Sequence, residues 1–269
     1  MSLVLSETDD LVTIVTLNRP DKLNAINKEL RLELTEALQR ADADAKTSVV
    51  LLRAAGRSFC VGYDIGPGNI DESMRHDALK WHAFLRECLA LEMLPWDMKK
   101  PVIAAVQGHA LGGGFELAMF CDLTLAAEDA QFGEPEIRFS TAGPAIVAPW
   151  LIGFKRAREL IYFGDNIDAK TALDLGLVNR VVPAGELASA SLKYAKRLSL
   201  ISPEALCAAK LSINRGADAA GFRNAMNVGL DVVAPLYAAK TEMGVKFQDI
   251  KAKQGLGAAL KWRAAQFKE

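Results

Sequence analysis

Cysteine is scarce in this sequence: four residues in 269, at Cys60, Cys88, Cys121 and Cys207. None forms a C-x-x-C pair, so neither a disulfide framework nor a zinc site is indicated. Each reads as a small buried hydrophobe in a reducing compartment. Histidine is scarcer still, with three residues, and His76, His82 and His109 lack metal-ligand spacing such as H-E-x-x-H. His76 and His82 read as helix-surface residues. Net charge is nearly absent: 32 Lys+Arg against 33 Asp+Glu leaves −1, and the closest approaches to a basic cluster, Lys99-Lys100 and Lys251 to Lys253, are short. That balance argues against a dedicated nucleic-acid or anionic-membrane partner. Nowhere is there the run of ~20 apolar residues that a membrane span needs. The most apolar stretches are cut by Gln107, His109 and Glu116, or by Pro144, Pro149 and Lys155. The N-terminus has no basic segment, and Asp9-Asp10 interrupts it too early for a signal sequence. A cytoplasmic protein is expected.

What is present is an ordinary globular composition, 51% hydrophobic and 24% charged. A chain of this size buries enough surface to need no covalent staple. Leu11–Leu17 and Ser48–Leu52 read as short strands rich in β-branched and aliphatic residues. Between them Asn27 caps a helix in which Leu30, Leu34 and Leu38 share one face. His76–Leu94 reads as a helix with Leu79, Ala83, Leu85 and Leu89 on one side. Val102–Val106 is a continuous apolar run, the pattern of a strand buried on both faces. The run FELAMFC reads as helix, and Asp122–Ala127 and Leu177–Val182 as strands. Strands alternating with helices indicate an α/β layer architecture. Beyond about Gly176 the chain turns helical, with Ser202-Pro203-Glu204 a strong helix start and further helices over Ala217–Gly244 and Gly257–Phe267. The division expected is an α/β core over residues 1–199 and a helical subdomain over residues 200–269.

The glycine-rich run Gly108 to Gly114 follows a strand and opens a helix. Helix starts carry unpartnered N–H groups and a positive dipole end, so the peptide of Gly113 can donate to an oxyanion. Tight strand–helix packing or a dinucleotide loop explains the same glycines, although G-x-G-x-x-G is not met cleanly. Glu116 lies about one turn beyond Gly113, on the same face, in an apolar run that forces its carboxyl to be paired or raised in pKa. A bond back to the helix start is the plainer reading. Glu136, after Pro135, taken alone is a loop acid. Converged with Glu116 beside an oxyanion donor, it makes an acid–base pair able to act on water. The segment Arg57 to Asp64 leaves the end of a strand, a usual place for a ligand.

Taken together, Ser58-Phe59-Cys60-Val61-Gly62-Tyr63-Asp64, Gly108 to Glu116, Cys121-Asp122 and Phe132-Gly133-Glu134-Pro135-Glu136 resemble the crotonase, or enoyl-CoA hydratase/isomerase, superfamily. Asn18-Arg19-Pro20 with Leu23-Asn24-Ala25 is similar to that family's N-terminal segment. Asp168 to Ala172, Gly176 to Asn179 and Val181 to Pro183 are similar to its later one. The resemblance implies a spiral of ββα turns followed by helices that build a homotrimer, or a hexamer of two trimers. It implies reversible addition of water across the 2,3-double bond of an enoyl-CoA thioester, with coenzyme A entering as substrate and no separate cofactor. Double-bond isomerisation, or dehydration of a specialised acyl-CoA, runs through the same enolate; a CoA- or RNA-binding member with little catalysis is a further reading. The oxyanion hole would be the N–H groups of Tyr63 and Gly113. Glu116 and Glu136 would hold the water, Glu116 helping to deprotonate it for attack at C3 and Glu136 supplying a proton to C2. Ser58, Phe59, Val61, Asp64, Ile65 and Gly66 would bind CoA. Two departures from the pattern stand out: Tyr63 occupies a position where many members have a small residue, and Pro144, which has no N–H, replaces part of a glycine-rich stretch. Trp150, Leu151 and Phe154 add bulk nearby.

Overall fold

The computed structural model describes residues 2–66, 69, 71–74 and 76–267. Pro67 and Gly68, within the polar segment after the second expected strand, lie outside these.

The chain opens with a hairpin, β1 (Val4–Asp9) against β2 (Val12–Leu17), turned at Asp10, whose φ is +54°. Then α1 (Lys28–Ala43) begins at Asn27, whose side chain accepts from the Leu30 N–H at 3.0 Å. Its buried stripe is Leu30, Leu34, Ala37, Leu38 and Ala41, the expected face extended. β3 (Val49–Ala54) leads through the polar segment to α2 (Ala78–Glu92) and the short α3 (Leu94–Asp97). β4 (Val102–Val106), β5 (His109–Leu111), α4 (Gly113–Phe120), β6 (Leu123–Ala127) and β7 (Gln131–Gly133) follow in quick succession. After them come α5 (Ala148–Phe163), β8 (Ile167–Asp168), α6 (Ala169–Leu175), β9 (Arg180–Val182) and α7 (Leu187–Leu198). Four helices close the chain: α8 (Pro203–Ala219), α9 (Phe222–Ala238), α10 (Glu242–Gln254) and α11 (Leu256–Ala265).

The larger sheet runs β1-β2-β3-β4-β6-β9 and is parallel except at the opening hairpin. The smaller sheet, β5-β7-β8, stands beside it. Successive strand residues point to opposite faces, and both faces of the larger sheet are covered. Val15, Leu17, Val50, Leu52, Val102, Ala104 and Val106 enter the main core. Ile14, Val49, Leu51, Ile103, Ala105 and Leu125 face Leu187 and Ala195 of α7. Burial on both sides is why these strands read as continuous rather than alternating apolar runs.

Three expectations need correcting. The buried face of α2 is Trp81, Leu85, Cys88, Leu89 and Glu92, whereas Leu79 is 83% exposed. Cys207 is only half-buried, unlike the other three cysteines. The bulk of Trp150, Leu151 and Phe154 does not fill a site: all three are exposed on α5.

Helix α9 is part of the main core. Phe222, Met226, Leu230 and Val233 are buried in it, and the Phe222 ring stacks on Trp96 at 4.3 Å. Helix α8 is tied to the sheet by Lys210, whose ammonium donates to Asp122 at 2.7 Å and to the carbonyls of Pro95 and Lys100. Asp122 also accepts the Val102 N–H at 2.7 Å. No described helix is long and apolar enough to cross a membrane.

Candidate active site

Two loops meet where β5 runs into α4. The Cys60 N–H donates to the His109 carbonyl and the Leu111 N–H returns to the Cys60 carbonyl, at 3.0 and 2.9 Å. This pairing lays residues 60–63 alongside residues 110–113. Asn24, fully buried, holds the same loop from the N-terminal side, donating to the carbonyls of Ala55 and Ser58 at 2.9 Å each. The N-terminal motif is therefore a brace for this loop. The Tyr63 and Gly113 peptides come to lie side by side, and among the described residues neither N–H has a backbone acceptor. Gly113 starts α4, so the helix dipole adds to its donor strength.

Four glutamates gather beside these peptides. Glu116 rises from α4, and Glu134 and Glu136 flank Pro135 at the entry to a 3₁₀ turn over Pro135–Phe139. Glu92 comes from the end of α2 and is fully buried. Glycines make room for all four. A Cβ on Gly112 would overlap the Glu136 carboxylate; Gly112 also has φ +54° and ψ −129°, a region glycine alone enters cheaply. A Cβ on Gly113 would sit 3.0 Å from Glu92 Oε1 and 2.5 Å from the Tyr63 ring. A Cβ on Gly143 would sit 2.5 Å from Glu116 Oε1 and 3.3 Å from Glu134 Oε2.

The electrostatics follow from burial without a cation. Burial pushes the Glu92 and Glu136 carboxyls up to about 7. It holds Glu116 and Glu134 well above the ordinary carboxylate range, with the charges of neighbouring glutamates adding to the effect. Neither oxygen of Glu92 has a hydrogen bond of conventional geometry, nor do Glu134 Oε2 and Glu136 Oε2. The site can thus hold protons and hand them over near neutral pH. Among the described residues no group of three or more His, Cys, Asp or Glu side chains is arranged to hold a metal ion.

Tyr237 of α9 closes the cluster from above, its hydroxyl donating to the Ala142 carbonyl at 3.1 Å. The Pro144 carbonyl abuts Gly229 of the same helix, where a Cβ would sit 2.5 Å away. Pro144 is thus one face of the loop–helix contact that holds Gly143 against Glu116.

A cavity of about 1220 Å³ opens next to the cluster, bounded by Val61, Tyr63, Asp64, Ile65 and Gly66, by Leu111 and Pro135, and by Leu256, Leu260 and Arg263 of α11. Arg19, Lys22, Arg138 and Arg263 line it, as do Asp64 and Asp165, and Arg138 is paired to Asp165. Arg19 is paired to Asp64 at 2.7 Å. Behind Pro135 lies a cavity of about 70 Å³ lined by Glu116, Glu134, Glu136, Gly143, Ile161 and Val233, among others.

Every residue singled out from the sequence is therefore near this place, with two differences in role. Ser58 and Phe59 are 1% and 0% exposed and do not line the large cavity; Phe59 belongs to the core. Glu92 and Tyr237 went unnoticed in the sequence, and Glu134 was given no role of its own. Glu92 had a readable signal, for it continues the Trp81, Leu85, Cys88 stripe at helical spacing.

The profile of the enoyl-CoA hydratase/isomerase family matches residues 7–246. The chain is 37% identical over 220 residues to the short-chain-enoyl-CoA hydratase of Clostridium acetobutylicum, covering 79% of this chain and 81% of that one. It is 32% identical over 271 residues to the crotonyl-CoA hydratase of Syntrophomonas wolfei, covering 98% of this chain and 97% of that one. Among solved structures, an enoyl-CoA hydratase/isomerase from Xanthobacter autotrophicus Py2 superposes with a TM-score of 0.93 at 34% identity, covering 100% of this chain and 99% of that chain.

Proposed function

The chain belongs to the enoyl-CoA hydratase/isomerase family and has its crotonase fold, and from that premise we propose that it is an enoyl-CoA hydratase. The observation that carries the reading is the convergence of Glu116 and Glu136 beside the Tyr63 and Gly113 peptides. Substrate thioester oxygen sits between the two N–H groups and becomes the enolate oxygen as water attacks C3. Each such donor is worth about 2.7–4 kcal/mol of transition-state stabilisation. Glu116 takes a proton from the water as its oxygen bonds to C3, and Glu136 gives a proton to C2 as the enolate collapses. The balance is one water added and no change of oxidation state, so the step needs no oxidant or reductant.

The CoA portion occupies the large cavity, with its phosphates near the basic lining and its adenine against backbone groups of the loop over residues 57–66. This placing is supported by the cavity's size and charge. The acyl tail enters the small cavity, whose 70 Å³ holds on the order of five water-sized groups, so the substrate is a short-chain enoyl-CoA. Three buried free cysteines support a reducing, cytoplasmic setting.

For the oligomer, homotrimer or hexamer, the support is exposed apolar surface on the C-terminal helices. Phe222, Met226, Leu230 and Val233 of α9 are covered within one chain. Leu200, Ile201, Leu211, Ile213, Val228 and Val232 are among those left exposed, and these are residues for a partner copy to cover.

The test is hydration of crotonyl-CoA, followed by loss of the enoyl-thioester absorbance, in the wild type and in Glu116→Gln and Glu136→Gln. Each change should lower kcat by about 10²–10⁴-fold. The double variant should cost little more, because residues acting as a unit are non-additive. Full activity in Glu116→Gln with none in Glu136→Gln would make Glu136 the sole acid–base group and point to an isomerase-like mechanism.

A further inference from the structure

The 3₁₀ turn that carries Glu136 has no core of its own. None of the residues Pro135–Phe139 is buried, so the turn is fixed by what packs on it from outside. Arg138 ties one flank to the end of α5, its Nε donating to the Phe163 carbonyl at 2.7 Å and its guanidinium pairing with Asp165. The other flank rests on the C-terminal helices. The Phe139 ring packs on Phe247 of α10 with centroids 5.1 Å apart, and Arg263 of α11 donates through Nε to the Arg138 carbonyl. The guanidiniums of Arg138 and Arg263 both lie over the Phe267 ring, 4.1 and 4.6 Å from its centroid. Helix α11 is itself lightly held: Ala259 is its one buried residue, and it leaves α10 at Gly255, whose φ is +87°. An element with so little apolar burial sits at the low-stability end of a fold, where a ligand can order it.

The same helix walls the large cavity. Of the four cations lining that cavity, Arg19 is paired to Asp64 and Arg138 to Asp165, whereas Lys22 and Arg263 have no carboxylate partner among the described residues. A guanidinium carries five N–H donors in a planar fork that matches a phosphate. The Arg138 carbonyl engages the Arg263 Nε–H and leaves the outer edge of the fork for an anion. We propose that Arg263 is a positioning residue for Glu136: its guanidinium takes a phosphate of CoA on one edge and the Arg138 carbonyl on the other, so that binding the nucleotide end of the substrate fixes the turn from which Glu136 reaches C2. The inference rests on the hydratase reading and adds to it a route by which a part of the substrate remote from the reacting carbons raises kcat. Without the phosphate the lightly held helix makes the carbonyl contact only part of the time, and Glu136 is placed less well. With it, the contact persists and the acid stays within reach of C2.

The test compares crotonyl-CoA with crotonyl-pantetheine, which keeps the thioester and lacks the phosphates and the nucleotide, in the wild type and in Arg263→Ala, with folding checked by circular dichroism. The wild type should turn over the truncated thioester with a kcat about tenfold lower as well as a higher KM. Arg263→Ala should lower kcat on crotonyl-CoA by about the same factor and leave kcat on crotonyl-pantetheine within about twofold of wild type. A merely structural support would lower kcat equally on both substrates, and a plain phosphate contact would raise KM for crotonyl-CoA with kcat kept; either result overturns the inference. If Arg263→Ala does not fold, kcat of the wild type on the two substrates decides: a tenfold difference supports the inference and equal values overturn it. A wild type that hydrates neither thioester would overturn the hydratase reading itself, which separates the two failures.

Discussion

At the scale of single residues, the site is a problem of room. Four carboxylates fit because three backbone positions have no Cβ: Gly112 leaves room for Glu136, Gly113 for Glu92, and Gly143 for both Glu116 and Glu134. Gly143→Ala would place a methyl 2.5 Å from Glu116 Oε1, the far end of a flexible side chain. The protein should fold with near-native stability, while the displaced Glu116 lowers kcat by about 10²-fold, since misplacing a reacting group by an ångström costs that much. Gly112→Ala meets both the Glu136 carboxylate and a backbone conformation closed to alanine. It should cost about 1–3 kcal/mol in denaturant melts as well as activity. A Gly143→Ala enzyme with wild-type kcat would show that Glu116 is not held by this contact. The pair of glutamates twenty residues apart was legible because each ends a distinct motif. Glu92 is legible only once the helix phase is known, since a lone acid in an apolar helix otherwise looks like an ordinary surface residue. Of the face read from Leu79, Ala83, Leu85 and Leu89, the last two are buried, but α2 turns the first two outward and buries Trp81 and Cys88 instead.

Among the elements, those with strong local signals were readable: α1 with its Asn27 cap, β4 as an apolar run, α8 with Ser202 accepting the Ala205 N–H at 3.3 Å. β1, α5 and α6 were not read, nor were β5, β7 and β8, each of two or three residues. Strands this short carry no periodicity; pairing alone makes them, and they are what brings Gly112 to Gly133 through a 2.9 Å backbone bond. The helical stretch expected over Ala217–Gly244 is broken at Ala220-Gly221 and again before Glu242, and the first break lets α9 turn back onto α2. Helix α8 is anchored differently, by one buried ammonium. Lys210→Met would leave the partly exposed Asp122 without its cation and the Pro95 and Lys100 carbonyls without a donor, which costs about 1–3 kcal/mol. Chemical denaturation should show that loss with little change in kcat, and Lys210→Met combined with Asp122→Asn should recover part of it. Equal stability of the single variant and wild type would remove the anchor from the account. Chain-length selection also belongs to this scale, since α5 and α9 wall the small cavity with Ile161 and Val233. Hydration of crotonyl-CoA should exceed that of a ten-carbon enoyl-CoA by about tenfold or more in kcat/KM. Val233→Ala should narrow the gap, and equal rates in the wild type would place the acyl tail elsewhere.

For the whole molecule, the carboxylate cluster couples stability to pH in a direction opposite to that of most acidic groups. A salt-bridged carboxylate has a lowered pKa and loses its contribution on acidification. Glu92 and Glu136 are raised, from 4.5 to about 7, and Glu116 and Glu134 are raised well above the ordinary range too. Below about pH 4.5 these groups are protonated in folded and unfolded chains alike and contribute nothing to the difference. Between about pH 4.5 and about pH 7 the unfolded chain releases protons that the folded chain keeps. The slope of stability with pH is proportional to protons bound by the unfolded state minus those bound by the native state, and here that difference is negative. The ligand-free protein should therefore melt at a lower temperature at about pH 8 than at about pH 5.5, by several degrees for a chain of this size. Differential scanning calorimetry of the wild type and Glu92→Leu checks this. Removing one buried carboxylate should raise the melting temperature at the higher pH and flatten its fall, while leaving the lower-pH value nearly unchanged. A melting temperature that rises with pH in the wild type, or a slope unaltered in Glu92→Leu, would mean that the cluster carries its protons no differently folded than unfolded, and the desolvated site described above could not then be the source of its acid–base chemistry.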